Sequence, residues 1–105
     1  MEYRFMSHYG AFVIARVTVD DMEGYKPYVA QALPIAAKFG GEYIVRGGNP
    51  IALEGDEDGL RHVVIAFPSV EKAKEFYHSE EYQAIIGIRH AHSQGTLTLV
   101  EAYQG

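Results

Sequence analysis

The sequence predicts an α+β domain of the ferredoxin-like kind, βαββαβ with a four-stranded antiparallel sheet and an extra short helix, whose sheet is covered on its second face by another copy of the chain. Three observations carry that expectation. Residues Ala11 to Val19 are almost all apolar or β-branched, the pattern of a buried strand. Strand and helix signals then alternate to the C-terminus. One alternating set of strand residues is small and mostly aliphatic and the other mostly large and apolar, so neither reads as a solvent face, whereas two helices can cover only one side of a sheet.

The elements follow in order. Asp20 and Asp21 offer oxygens that can cap a helix. Tyr25, Tyr28, Val29, Ala32, Ile35, Ala36 and Phe39 then recur at spacings of three and four and mark one buried face. Pro27 lies near the start of this helix, but Pro34 lies inside it and should kink it or split it near Ala30. Gly40-Gly41 supplies the left-handed residue that ends it. Glu42 to Arg46 reads as a second strand, broken by Gly47-Gly48-Asn49-Pro50 and resumed at Ile51 to Glu54, so a bulged strand is expected. Glu54 to Asp58 forms an acidic hairpin loop, and Arg61 to Phe67 is the third strand. Ser69 and Ser79 are placed to cap two further helices, the second carrying Tyr82, Ile85, Ile86 and Arg89. Thr96 to Tyr103 is the last strand. A faint internal echo, Val13-Ile14-Ala15 before Tyr25 and Val64-Ile65-Ala66 before Phe76, suits two halves whose first strands are central neighbours.

Composition narrows the functions. A chain of 105 residues with 48% hydrophobic and 22% charged residues is about one globular domain, divided as an N-terminal arm over 1–10 and the domain over 11–105. A net charge of −5 argues against binding a phosphate backbone, so no nucleic-acid partner is expected. With no cysteine, disulfides, thiolate catalysis and Cys-based metal sites are excluded together. No apolar stretch approaches the ~20 residues of a membrane span, and Met1 to Gly10 lacks the pattern of a signal peptide. A cytoplasmic location, with no membrane partner, is the default.

Facing is the next inference. Val13, Ala15 and Val17 are grouped with Val64, Ala66, Thr98, Val100 and Ala102 as the small set beneath the helices. Phe12, Ile14 and Arg16 are grouped with Val63, Ile65, Phe67, Leu97, Leu99, Glu101 and Tyr103 as a large apolar set, covered by a homodimer partner.

Several of these segments, namely Phe12 to Val19, Gly40 to Gly48, Leu53-Glu54-Gly55, Val64 to Ser69, Glu81-Tyr82-Gln83 and Leu99-Val100-Glu101, occur together and in order. In this the chain resembles small proteins classed as domain of unknown function 1330, from about Ala11 to Tyr103. The resemblance implies a dimeric α/β barrel. Its wider superfamily includes antibiotic-biosynthesis monooxygenases, haem-degrading enzymes and stress-responsive barrel proteins. The family itself implies no activity. The chain departs from its usual pattern in a longer N-terminal arm and in Asp21-Met22, where an Asp-Pro pair is more common.

Charge on a face expected to be dry supplies the candidate chemistry. Arg16 and Glu101 fall in the same alternation set, while Arg46 and Glu54 flank the Gly-Gly break. One reading is an Arg16–Glu101 ion pair that fixes register or the dimer. The other is the polar floor of an apolar pocket, in which arginines hold a carboxylate or enolate and a glutamate acts as base. On the second reading Arg16, Glu101 and Glu54 are candidate catalytic residues, and Arg46, Arg89 and Tyr103 candidate substrate-binding residues. The substrate would be a small anionic metabolite, handled without a cofactor. A non-catalytic, ligand-binding dimer is the alternative. His90 and His92 lack an evident third ligand, so no metal is expected. Tyr25, Tyr28, Tyr77 and Tyr82 sit at core-facing helical spacings.

Overall fold

Strand β1 (Ala11–Val19) takes a central place because its apolar, β-branched run can be buried between two neighbours. The computed structural model describes residues 9–104. In it β1 is followed by α1 (Met22–Lys38), β2 (Glu42–Arg46), β3 (Arg61–Phe67), α2 (Val70–His78), α3 (Glu80–His92) and β4 (Ser93–Glu101). The four strands form one antiparallel sheet in the order β2-β3-β1-β4, the ferredoxin-like arrangement, with the helices on one side. Of the expected N-terminal arm, only Tyr9 and Gly10 fall among the described residues. The Tyr9 ring stands edge-on to Phe12, with centroids 6.1 Å apart. Gly10 extends the β1 ladder, donating to Phe67 and accepting from Ala102, both at 2.9 Å.

Local chemistry sets most boundaries. The hydroxyls of Ser69 and Ser79 accept from the backbone N–H of Lys72 and Tyr82, at 3.0 and 3.1 Å, and so satisfy amides at the starts of α2 and α3. Gly40, at φ +80°, ends α1 as expected. Asp21 begins that helix, but its side chain makes no capping hydrogen bond. α1 also runs unbroken through Pro27 and Pro34, where a kink or split was expected. Pro34 and Ala30 are both exposed, so water can take the carbonyl that proline leaves without a donor. The extra helix is not short: α3 has 13 residues, against nine in α2. β4 starts at Ser93, directly from α3, rather than at Thr96. Residues 47–60 form a loop, without the extended run expected at Ile51 to Glu54.

Register overturns the grouping of the faces. Val13 lies opposite Ile65 and Leu99, and Ala15 opposite Val63 and Leu97. Directly opposed residues project to the same side. Val63, Ile65, Phe67, Leu97, Leu99 and Glu101 therefore share the helix side with Val13, Ala15 and Val17. The open side carries Phe12, Ile14, Arg16 and Thr18 with His62, Val64 and Ala66, and Thr96, Thr98 and Val100. It is smaller and more polar than the sequence grouping implies. The internal echo is one residue out of phase, since Val64 faces Ile14 and not Val13.

The helix side is filled by Tyr25, Tyr28, Ala32 and Ala36 from α1, Ala73 and Phe76 from α2, and Tyr82 and Ile85 from α3. Tyr82 and Phe76 stack at 4.6 Å, and the Tyr28 and Tyr82 hydroxyls share a buried hydrogen bond of 2.7 Å. Among the described residues no helix is long and apolar enough to cross a membrane.

Candidate functional site

Every helix that covers a sheet must do so with an apolar stripe, and α3 breaks that rule at one position. Its buried residues are Tyr82, Ile85 and Arg89, spaced three and four apart along a single face. Arg89 is therefore carried under the helix layer, where it is 7% exposed. The same packing that buries Tyr82 leaves its guanidinium nowhere else to go.

Two more arginines reach the same space by different routes. In β2 the pairing shifts between Tyr43, opposite Ile65, and Val45, opposite Val64. Ile44 is the extra residue of this bulge. Without it, Arg46 would project to the side opposite Tyr43; with it, Arg46 lies opposite Val63 and joins Tyr43 on the helix side. Arg61 begins β3 opposite Val17, whose side chain is also on the helix side. Gly47, at φ +70°, makes room for it, since a β-carbon there would overlap the Arg61 guanidinium.

Arg46, Arg61 and Arg89 line one cavity of about 30 Å³, together with Tyr25, Tyr28 and Tyr43. Its remaining wall is aliphatic, from residues such as Val13, Ala15 and Leu97. Among the described residues no carboxylate lines it. The Nε atoms of Arg61 and Arg89 are buried and without a hydrogen-bond partner. The side-chain hydrogen bond of the Arg89 guanidinium among the described residues is with the His90 ring, at 3.3 Å. A buried cation with no counter-charge is costly, and a buried donor left without a partner beside a cavity is one that an acceptor bound there could satisfy.

The tyrosines are tuned to donate. Burial raises Tyr25, Tyr28 and Tyr43 above the ordinary phenol range; at Tyr25 it outweighs the opposing pull of the Arg61 and Arg89 charges, while the Tyr82 hydroxyl adds to it at Tyr28. All three stay neutral near pH 7. Raised acid groups favour the fold below the unfolded-state pKa of about 10 and lose that advantage as pH rises through the folded values. Stability should therefore fall above about pH 10, by up to about 1.4 kcal/mol per pH unit for each tyrosine. Phenolate absorbance followed alongside circular dichroism tests this: the slow titrating fraction should appear together with unfolding. Free ionisation of all eight tyrosines in the folded protein would contradict it.

The other expected site residues lie elsewhere. Arg16 is on the open side of the sheet, in an ion pair with Asp58. The backbone N–H of Leu60 first, and then Arg16, hold that carboxyl below its usual range. Glu101 lies on the helix side at the far end of β4, opposite Ala11. Arg16 and Glu101 thus occupy opposite faces five positions apart, about 17 Å along the strand, and do not pair. Glu54 is in the exposed loop, and Tyr103, 92% exposed, follows β4. Only Arg46 and Arg89 of the six line the cavity. Arg61 and the tyrosines were not singled out as lining the cavity, and the sequence signal that could have found Arg61 is Gly47, the space its side chain needs.

Gly47 also provides a test. Gly47→Ala should cost about 1–2 kcal/mol for the left-handed backbone alone and push Arg61 out of the cavity. Urea unfolding would read the first effect and the chemical shift of Arg61 Nε–H the second. An unmoved Arg61 resonance would show that Gly47 has no part in placing it.

Among the described residues, no group of three or more His, Asp or Glu side chains is arranged to hold a metal ion. In comparisons with known proteins, residues 10–103 match a family described as a domain of unknown function, DUF1330. No curated protein matches the chain. Among solved structures, a protein of unknown function from Rhodopseudomonas palustris is similar at TM-score 0.72 and 20% identity, over 97% of this chain and 89% of that one. SnoaB, a cofactor-independent oxygenase from Streptomyces nogalater, is similar at TM-score 0.63 and 17% identity, over 93% and 97%. At these identities the likeness is one of fold.

Proposed function

We propose, from the premise that this chain belongs to the DUF1330 family, that it binds a small organic oxyanion through Arg46, Arg61 and Arg89. One observation carries the reading: Arg89 is buried beneath the helices, and among the described residues its Nε has no partner and no carboxylate lines the cavity that Arg89 lines. A carboxylate, enolate or phenolate oxygen supplies the missing charge and acceptor, and neutral tyrosine hydroxyls can donate to the same oxygen. Such a field favours the ionised form of a weakly acidic enol or phenol over its neutral acid, an ionisation that readies such molecules for chemistry without a cofactor. The SnoaB-like fold supports a catalytic version of this reading. Arg16, Glu54, Glu101 and Tyr103 have no part in it.

The test is a titration with acetate, benzoate and other small oxyanions at constant ionic strength set by chloride. Saturable binding is expected, and at ten times Kd it should add about 1.4 kcal/mol, several degrees of Tm. Anion effects no larger than those of chloride would sink the reading.

A homodimer through the open side of the sheet is part of the same proposal. Val45 and Val100 are exposed on that side beside the half-buried Phe12 and Ile14, and Ile51 and Leu53 of the neighbouring loop are 79% and 92% exposed. Sedimentation should give twice the 11.7 kDa of one chain, and Ile14→Lys should reduce it. A monomer at micromolar concentration would overturn this part.

A further inference from the structure

Beside the arginine cavity lies a larger one that a bare anion leaves unused. It measures about 280 Å³, against about 30 Å³. Ala73, Phe76 and Tyr77 of α2 and Leu99 of β4 wall it, while the exposed Lys74 and His78 stand at its mouth. Val13 and Leu97 line both cavities, so these two side chains lie between them.

The sizes constrain the ligand. A space of about 30 Å³ is about a tenth of an ordinary small-molecule pocket, room for a small polar head but not for a six-carbon or aromatic body. A carbon body of that size would therefore lie outside it. The adjoining space is apolar on three sides and approaches the volume of ordinary small-molecule pockets. The charged head would not choose the opposite orientation. Lys74 and His78 are exposed and already solvated, whereas the Nε atoms of Arg61 and Arg89 are buried and have no partner.

We propose that the ligand is an amphipathic organic acid, its oxyanion in the arginine cavity and its aromatic or aliphatic body between α2 and β4. This rests on the anion-binding reading and adds to it the body of the ligand. Leu97 is partly buried against the core and lines both cavities, so on this proposal its rotamer must leave the two joined when the ligand is bound.

Acetate, butyrate, hexanoate and phenylacetate, titrated by ligand-observed NMR, form a series with a constant head and a growing body. The wild type should bind hexanoate and phenylacetate at least ~10-fold more tightly than acetate. Ala73→Leu and Leu99→Phe, two independent ways to fill the larger cavity, should bring the hexanoate-to-acetate ratio towards one. Arg89→Gln should weaken the whole series. A flat series that still depends on Arg89 overturns the amphipathic ligand and leaves the anion site standing. A rise with length that neither filling variant reduces places the body elsewhere and also overturns it. Binding of no member in an Arg89-dependent way removes the anion reading itself.

Discussion

Arg89→Met should leave the unliganded protein as stable as the wild type or more so, by up to about 4 kcal/mol, while removing most of its affinity for oxyanions. The two effects share one cause. In the free protein Arg89 is 7% exposed and, among the described residues, no carboxylate lines its cavity, so the fold bears its desolvation without a compensating pair. Methionine has a similar reach and no charge, and fits the apolar stripe that Tyr82 and Ile85 begin. In the complex the balance reverses, because losing one partner of a buried charge pair costs about 2–5 kcal/mol, roughly 30-fold to several-thousand-fold in Kd. Urea unfolding without ligand and titration with an oxyanion read the two effects separately. A variant that unfolds readily yet binds anions as before would make Arg89 a structural prop, and the site would have to be sought elsewhere.

Tyr82→Ala should be the most damaging single change in the core, at about 3–5 kcal/mol, a large part of the stability of a domain of this size. Tyr82 is fully buried and its ring lies 4.6 Å from Phe76, 5.6 Å from Tyr77 and 6.0 Å from Tyr28. Its removal opens a cavity where α1, α2 and α3 meet. Tyr82→Phe isolates the polar part of the effect: it keeps the ring but leaves the buried Tyr28 hydroxyl without its 2.7 Å partner, a loss of about 1–3 kcal/mol. Denaturant midpoints of the two variants provide the check. Equal losses would mean that the hydrogen bond, and not the ring packing, dominates.

Signals confined to a few neighbouring residues were legible. Ser69 and Ser79 each need only an amide three residues on, and Gly40 only its own backbone freedom, so their roles could be read without knowing the fold. Asp21 shows the limit of such reading, because a suitable residue at a helix start need not form the bond. Pro34 shows another. The lost backbone bond costs less where the freed carbonyl is exposed, and exposure belongs to the folded molecule.

The candidate site was half legible. Arg89 could be placed because it continues a helical stripe, a matter of spacing alone. Arg46 could be singled out beside a glycine pair, but its direction depended on the Ile44 bulge, which only pairing with β3 reveals. Arg61 stood at the head of a strand with nothing in its own neighbourhood to say which way it faced.

The sequence by itself determined that this is an α+β chain with strands and helices in the ferredoxin-like order, because hydrophobic period and caps are local properties. Tertiary structure alone decided the facing. A strand's alternation names two sets of residues but not which set joins which across the sheet, and a shift of one residue exchanges them. Register put Glu101 on the helix side and Arg16 on the open side, and the β2 bulge turned Arg46 towards the cavity that Arg61 and Arg89 also line. Strand register, a tertiary property, therefore decided which of the candidate residues could meet.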